Sequence, residues 1–451
     1  MPIGFQPVLR LVASLALILI PRGAFAQEAE AAVSGLNSGD VAWVLTSSAI
    51  VLMMTIPGLA LFYGGLVRGK NVLSILMLCF VTAAVVSVTW VLWGYSIAFG
   101  PDAGGGLIGD LSLIGLRGVG WEAGPDENIP PQTFMVFQLM FAIITPALIV
   151  GAIAERMKFS AFLLFLVLWT TFIYSPLCHW VWGPDGWLGA MGTLDFAGGT
   201  VVHISSGTSA LVAAIMLGKR RGYGREPMQP HNVPFVIIGA SLLWVGWFGF
   251  NAGSALAADG IATLAFVNTN TATGAAVLGW MFSEWISRGK PTAVGAATGA
   301  VAGLVAITPA AGFVEPWAAI IIGAVAGFLC FKACSFKAKL GYDDALDVVG
   351  VHGVGGTWGA IATGIFASTA LTDGGGGLLT GNGGQVITQI KAILATYLLC
   401  GIGSYVILLI VKRITGLRVD EEAESMGLDL TLHAEAAYTT TASGSPIGER
   451  P

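Results

Sequence analysis

The chain has 451 residues, of which 55% are hydrophobic and only 10% are charged. Soluble globular domains carry about 25% charged residues, so this composition excludes an ordinary soluble protein and indicates the membrane class. The net charge of -5 excludes a basic nucleic-acid-binding protein, and the five cysteines show neither metal-ligand spacing nor the pattern of a disulfide framework.

The first segment, 1–26, has the pattern of a secretory signal peptide. Arg10 precedes an apolar core from Leu11 to Ile20, and Ala24-Phe25-Ala26 matches a small-residue cleavage site. The alternative is an uncleaved first helix, but the core is short for a membrane span. A short extracytoplasmic N-terminus, 27–40, would then precede the first span.

Apolar runs of about 20 residues then predict eleven membrane-spanning helices between residues 41 and 411. The predicted spans are 41–66, 72–99, 132–154, 160–181, 198–218, 234–256, 261–286, 293–312, 317–336, 346–370 and 388–411. The predicted fold is therefore an all-α polytopic membrane protein, consisting of the domain 41–411 and a C-terminal tail, 412–451.

Lysine and arginine are concentrated in alternate loops. The basic loops carry Arg68 and Lys70, Arg156 and Lys158, Lys219 to Arg225, Arg288 and Lys290, Lys332 to Lys339, and Lys412 to Arg418. Basic loops remain in the cytoplasm, so the N-terminus is predicted outside and the C-terminal tail inside. Within the tail, 416–438 mixes acidic residues with Leu and Met, as a docking segment does, whereas 439–451 is predicted to be disordered.

Two histidines lie within apolar spans of opposite direction. His203 follows Asp195 by eight residues and His352 follows Asp343 by nine, which places each roughly 12–13 Å into its span from opposite faces. Five spans followed by five of opposite topology is the inverted-repeat plan of many transporters, with the site between the halves and the eleventh span outside the repeat. A single buried histidine would be interpreted as structural, but two at matching depth favour a functional site.

The acids that precede the histidines, Asp195 and Asp347, have two possible roles. Each carboxylate could cap the start of its helix by accepting backbone N–H groups, or could lower the electrostatic cost for a cation entering the protein. We expect a structural role with an electrostatic contribution at Asp195, and a mainly structural role at Asp347.

Aromatic residues without charged partners cluster near the outer ends of several spans. Phe137 and Phe141 are one turn apart, Trp180 and Trp182 follow span four, and span six contains Gly246-Trp-Phe-Gly-Phe-Asn-Ala-Gly-Ser254. Aromatic faces with one hydroxyl acceptor suit a small cation, at roughly 0.5–2 kcal/mol per ring. The alternative is the aromatic belt of any membrane interface, which is the preferred interpretation for Trp180 and Trp187.

Motifs along nearly the whole mature chain resemble those of the Amt/Mep/Rh ammonium transporter family, on its bacterial Amt branch. They are Thr55-Ile-Pro-Gly-Leu-Ala-Leu-Phe-Tyr-Gly-Gly65, Arg68-Gly-Lys-Asn71, Gly151-Ala-Ile-Ala-Glu-Arg156, Asp195-Phe-Ala-Gly-Gly-Thr-Val-Val-His203, the span-six motif 246–254, Ala265-Phe-Val-Asn-Thr269 and Gly350-Val-His-Gly-Val354.

The resemblance implies a homotrimer in which each protomer has its own pore. By residue-for-residue match, Phe141, Trp182 and Ser254 resemble the outer ammonium recruitment site, Phe141 and Phe250 the phenylalanine gate, His203 and His352 the twin histidines of the pore, and Asp195 the acid beneath the recruitment site. The tail motifs Gly416-Leu-Arg-Val-Asp-Glu-Glu422 and Gly427-Leu-Asp429 resemble the segment that communicates with P-II signal proteins. Pro184-Asp185-Gly186 after Trp182 and the extension beyond Tyr438 depart from the family pattern.

The resemblance and the cost of desolvating a cation together imply that ammonium loses its proton on entry and that ammonia passes the histidines, with the fate of the proton left open. No metal or cofactor is expected. Two alternatives remain: an ammonium sensor that signals through its tail, and a membrane haem protein that uses both histidines as ligands. An enzyme is not expected, because no nucleophile motif, phosphate loop or carboxylate pair stands in a usable context.

Overall fold

The computed structural model describes residues 35–438, and within that range it is all-helical without a strand. The predicted signal peptide, 1–26, and the tail extension, 439–451, lie outside the described residues. Isolated bridges pair Asp102 with Gly109 and Met157 with Arg418, and the second of these joins the tail to the rest of the fold.

A helix occupies the position of each of the eleven predicted spans. We number them α1 (Ser38–Leu66), α2 (Gly69–Phe99), α3 (Pro131–Ile153), α4 (Phe159–Ala190, interrupted at 183–186), α5 (Gly199–Leu217), α6 (Val233–Ala255), α7 (Gly260–Arg288), α8 (Ala293–Ile307), α9 (Pro316–Leu340), α10 (349–366) and α11 (Gly384–Thr415). Two short tail helices follow, α12 (Glu421–Met426) and α13 (Leu428–His433).

Nine of these helices within residues 35–438 are long and apolar enough to cross a membrane, whereas α8 and α10 are shorter. The multi-pass helical architecture predicted from hydropathy is therefore confirmed. That all eleven helices span the membrane, and the direction in which each one does so, remain predictions.

Local sequence explains where the helices begin and end. Pro131 starts α3 at a position where no backbone N–H is needed, and Asp259 caps α7 by accepting the N–H of Ala262 at 2.9 Å. Gly289 and Gly341, with φ of +81° and +80°, end α7 and α9 in the left-handed conformation that glycine adopts without strain.

The centre of the bundle is α3, whose most apolar window is 94% buried. Beside it, α5 crosses α10, and α11 packs against both of them, while α7, α8 and α9 pack on one another. The crossing of α5 and α10 brings the two halves of the chain together, and the candidate site lies at this crossing.

Candidate functional site

The two histidines predicted from sequence are in contact at the crossing of α5 and α10. Their Nδ1 atoms are 3.3 Å apart, and the rings lie 5.3 Å apart at 29°. Since the bond joins two ring nitrogens, one imidazole must donate its Nδ1 proton and the other must accept it. Both side chains are buried, and His203 Nε2 has no hydrogen-bond partner among residues 35–438. One ring nitrogen is therefore directed away from the pair and is available to a third group.

Both histidines lie on a π-helical turn at the start of their helix, Gly199–Ile204 in α5 and Val349–Gly353 in α10. Such turns contain one extra residue, break the regular i to i−4 hydrogen bonding and occur frequently at functional sites. Matching turns on the two helices bring the imidazoles face to face.

Glycines allow the two helices to touch. A Cβ at Gly207 would overlap the backbone nitrogen of Gly353, and one at Gly356 would lie 2.9 Å from His203 Cβ. Backbone contact at this point holds the histidines at hydrogen-bonding distance and leaves no room for a larger group between them.

This spacing argues against the haem alternative. Two axial nitrogens on one metal are separated by about 4 Å, on a metal–nitrogen bond of about 2.0 Å, with a macrocycle between them. The Nδ1 atoms lie closer than this, at 3.3 Å, and the helix backbones are in contact beside them. Among residues 35–438, no group of three or more His, Cys, Asp or Glu side chains forms a metal site.

A column of aromatic rings continues from the histidines. The Phe250 ring is 6.1 Å from His203 and 4.4 Å from Phe141, and Phe141 meets Trp182 edge-on at 5.8 Å. Both phenylalanines are fully buried, whereas Trp182 and Ser254 are partly exposed. The two phenylalanines therefore separate the histidine pair from the partly exposed outer residues.

The outer residues are held by hydrogen bonds to backbone. Ser254 Oγ donates its proton to the carbonyl of Phe250 at 2.8 Å, which leaves its lone pairs free to accept. The Trp182 indole donates to the carbonyl of Asp195 at 2.9 Å, so its ring position depends on the segment that carries Asp195.

The Asp195 carboxylate caps the start of α5. It accepts the backbone N–H groups of Gly198, Gly199 and Thr200 at 2.8, 2.6 and 2.8 Å, and also the Thr200 hydroxyl. Both oxygens are bound to donors of the helix that carries His203. This geometry fits the structural role expected for Asp195.

At α10 the capping carboxylate is that of Asp344, whereas the sequence analysis assigned this role to Asp347. Asp344 Oδ2 accepts the N–H of Val349 at 2.7 Å. Asp347 has a left-handed backbone with φ of +63°, and its side chain instead forms an ion pair of 2.6 Å with Lys337. Asp347 therefore joins α10 to α9.

A cavity of about 280 Å³ reaches the histidine pair from the side of the basic loops. His352, Val351 and Tyr63 line it together with Arg220, Lys337 and Asp347. The histidine pair thus lies between an aromatic column and a water-accessible cavity with charged walls.

A cluster of buried charges includes Arg220, which lines this cavity, and was not identified as functional from sequence. Glu155 accepts from Arg68, Asn71 and Arg220, and Asp343 pairs with Arg220 at 2.9 Å. Burial alone would raise the pKa of Glu155, but Arg68 and Arg220 outweigh it and hold that pKa below its ordinary value. The sequence signal was available in the positively charged loops, but the pairing depends on contacts between distant segments.

Comparison with known proteins gives a consistent result. Residues 42–438 match the model of the Ammonium Transporter Family. The chain is 54% identical to the ammonium transporter of Bacillus subtilis over 89% of this chain and 99% of the relative. It resembles the crystal structure of Saccharomyces cerevisiae Mep2 at 38% identity and a TM-score of 0.80, over 86% of this chain and 89% of that one. A structure titled Sensor Amt Protein matches at 31% identity and a TM-score of 0.81, over 88% of this chain and 98% of that one.

Proposed function

Because the chain belongs to the Ammonium Transporter Family, we propose that it transports ammonium across the bacterial cytoplasmic membrane. The observation that carries the proposal is the hydrogen-bonded pair His203–His352, buried between the aromatic column and the cavity. Eleven helices cross the bilayer, the N-terminus lies outside and the tail lies in the cytoplasm. The protein works as a homotrimer with one pore in each protomer.

Ammonium is recruited at Phe141, Trp182 and Ser254. The aromatic faces attract the cation, and the free lone pairs of Ser254 Oγ accept one of its N–H groups. The carboxylate of Asp195 contributes electrostatically from its capping position, because the backbone carbonyl of the same residue accepts the Trp182 indole N–H.

Passage beyond the gate of Phe141 and Phe250 removes the hydration shell. Desolvation disfavours the charged form of an amine, so the proton separates from the nitrogen at this point. Neutral ammonia then passes the histidines, where Nε2 of His203 can exchange a hydrogen bond with it. Potassium has no proton to release and meets the full desolvation penalty, which explains how a transporter of this design excludes it.

The proton follows through the histidine pair, so that one charge moves for each ammonium. The Nδ1–Nδ1 hydrogen bond supports this step, because a proton added to one imidazole can be released from the other. Without a relay the protein would be an ammonia channel and would carry no current.

The test is charge movement on adding ammonium to proteoliposomes that contain the parent protein, His203→Ala or His352→Ala. We expect a current in the parent that falls, or loses selectivity over potassium, in both variants. His231→Ala is the matched control, because His231 lies outside the pore and bonds to Val67 and Tyr438. The relay is wrong if the parent transports ammonium without current, and the role of the histidines is wrong if current and selectivity are unchanged.

A second candidate function is ammonium sensing, which the similarity to the Sensor Amt Protein structure and the ordered tail favour. A P-II signal protein would be the partner and would bind residues 412–438 on the cytoplasmic face. Saturable ammonium binding without uptake would support sensing and would contradict transport.

A further inference from the structure

The eleventh helix, which lies outside the predicted inverted repeat, makes polar contacts with both histidine-bearing helices. Tyr397 bonds to Thr357 of α10 at 2.5 Å, and Ser404 bonds to Ser209 of α5 at 2.8 Å. Nearer the aromatic column, Gln389 contacts both the segment that precedes α5 and α10 itself. Helix α11 is therefore attached to the two halves of the site at several heights.

Gln389 makes the most extensive of these contacts. Its Oε1 accepts the N–H of Leu194 at 2.9 Å, and its Nε2 donates to the carbonyls of Leu194 at 2.8 Å and Ala360 at 3.2 Å. The side chain is fully buried. A glutamine amide has one acceptor and one two-proton donor group, so this side chain alone pairs both backbone groups of Leu194 and joins them to α10.

Leu194 immediately precedes Asp195, and no helix supports the backbone between 191 and 198. The position of this segment is set by its hydrogen bonds to neighbours, which include Gln385 to Gly192 at 2.9 Å and Phe196 to Pro309 at 3.1 Å. The carbonyl of Asp195 in turn accepts the Trp182 indole. A chain of two contacts therefore runs from Gln389 through this segment to Trp182.

We propose that Gln389 is a positioning residue for the outer recruitment site, setting the place of Asp195 and, through it, of the Trp182 ring. The inference rests on the proposed function, since it requires Trp182 to bind ammonium. Loss of the Gln389 amide leaves the N–H and carbonyl of Leu194 without partners in a partly buried place, and the segment shifts to satisfy them. The histidine pair is held separately by the glycine contacts between α5 and α10, so the defect falls on recruitment.

The experiment compares the ammonium concentration dependence of transport in proteoliposomes for five proteins: the parent, Gln389→Met, Gln389→Glu, Ser404→Ala and Trp182→Leu. Gln389→Met is expected to raise the half-saturating concentration roughly three- to tenfold, with a maximal rate within about twofold of the parent. Gln389→Glu should regain part of the affinity relative to the parent as the pH is lowered, because a protonated carboxyl group offers one donor and one acceptor to Leu194.

Ser404→Ala is the matched control, because it removes hydrogen bonds of the same helix to Ser209 and Trp169 without touching the Asp195 segment. It should leave the half-saturating concentration unchanged. If Gln389→Met cannot be purified, Gln389→Asn replaces it with the same expectation, because its amide ends one methylene short of Leu194.

Two failures are distinguishable. An unchanged half-saturating concentration in Trp182→Leu would reject the recruitment site and hence the proposed function of this residue. A raised value in Trp182→Leu with a parent-like value in Gln389→Met would overturn the positioning role alone. A lower maximal rate in Gln389→Met at unchanged affinity, as for a general packing defect, would overturn it as well.

Discussion

The carboxylate of Asp195 connects the outer aromatic residues with the helix that carries His203. Its side chain accepts hydrogen bonds from four backbone N–H groups and one hydroxyl, while its carbonyl accepts the Trp182 indole N–H. A carboxylate can accept from all of these donors at once, whereas an amide presents N–H groups to some of them. The residue at this position therefore decides both helix geometry and site geometry.

Asp195→Asn is expected to destabilise the protein by about 1–3 kcal/mol, because its amide N–H₂ would face backbone donors in a buried place. The measurement is thermal unfolding of the purified protein in detergent, together with ammonium uptake. Thr200→Val is the control, since it removes only the hydroxyl bond and should have a smaller effect. Equal stability of the parent and Asp195→Asn would contradict the capping geometry.

Two adjacent carboxylates in the loop before α10 have opposite electrostatic environments. Burial raises the pKa of Asp344 to about 6, despite the opposing charge of Lys337. Burial also acts to raise the pKa of Asp343, but the hydrogen bonds and charge of Arg220 lower it overall. Ionisation of Asp344 therefore lowers the free energy of unfolding, whereas ionisation of Asp343 raises it.

This contrast predicts a pH dependence. A free aspartate has a pKa of about 3.9, so between about pH 4 and 6 the folded state binds more protons at Asp344 than the unfolded state does. The stability contributed by Asp344 therefore falls as the pH rises through this window. The Asp344→Asn variant has no carboxyl group to ionise here, so it does not lose this stability, and its amide oxygen can still accept the Val349 N–H. At pH 7.5 it should therefore unfold at a higher temperature than the parent.

The gain is at most about 3 kcal/mol, since one pKa unit corresponds to about 1.4 kcal/mol. At pH 4 the advantage should vanish. Asp343→Asn is the matched comparison and should be less stable than the parent at pH 7.5, because it breaks the ion pair with Arg220. A lower unfolding temperature for Asp344→Asn at both pH values would refute the prediction.

At this scale the sequence identifies residues whose chemistry conflicts with their surroundings. His203 and His352 were predicted because ionisable groups in apolar runs need a reason. Gln389 was not, because its partner Leu194 lies 195 residues earlier and only the fold brings them together. The capping role at α10 was assigned to Asp347 and not to Asp344. The sequence does not show that Asp347 has a left-handed backbone, which turns the chain just before α10.

At the scale of helices, the crossing of α5 and α10 depends on a glycine whose hydrogen cannot be replaced. A Cβ at Gly207 would overlap the backbone of Gly353, and backbone cannot move aside as a flexible side chain can. A Cβ at Gly353 would lie 3.6 Å from Gly207 Cα, an ordinary van der Waals distance. Two glycines in one contact therefore differ in their tolerance of alanine.

Gly207→Ala is expected to force the helices apart, lengthen the His203–His352 hydrogen bond and reduce ammonium transport at least tenfold. Overpacking of this kind typically costs about 1–3 kcal/mol in stability. Gly353→Ala, with φ of -65° at that position, should fold normally and retain most activity. Transport by both variants in proteoliposomes and their unfolding temperatures provide the test, and parent-like transport by Gly207→Ala would contradict it.

Hydropathy locates helices well but not their irregularities. The predicted span 132–154 agrees with the observed α3, Pro131–Ile153, because an apolar run there coincides with the helix. The predicted span 346–370 is longer than the observed α10, because Asp347 and Ala367 adopt non-helical backbone conformations near the two ends of that span. The π-helical turns that carry the histidines have no apolar signature, because packing between helices stabilises them.

At the scale of the whole molecule, the tail is bound to the loops of its own chain. Glu424 accepts from the backbone of Arg221 at 2.6 Å and forms an ion pair with Arg418 at 2.6 Å. Lys70 donates to the carbonyls of Glu424 and Ser425, and Asp429 accepts the N–H of Ser74 at 2.7 Å. The sequence predicted a docking segment here, and the structure gives it an intramolecular partner that hydropathy could not identify.

Glu424 is the centre of these contacts, so its substitution should release the tail. Glu424→Gln replaces one carboxylate oxygen by an NH₂ group that cannot accept, so either Arg221 or Arg418 loses its acceptor and the ion pair with Arg418 is lost. Hydrogen bonds to charged groups are worth about 1.5–3 kcal/mol. A loss of 1.4 kcal/mol raises the open population about tenfold. Tryptic cleavage at Arg418 in the detergent-solubilised protein should accelerate by about that factor.

Glu422→Gln is the control, because it changes an exposed acid of the same helix, and it should be cleaved at the parent rate. Equal cleavage of the two variants would mean that Glu424 does not hold the tail in solution, and the docked tail would then depend on the contacts of Lys70 and Asp429.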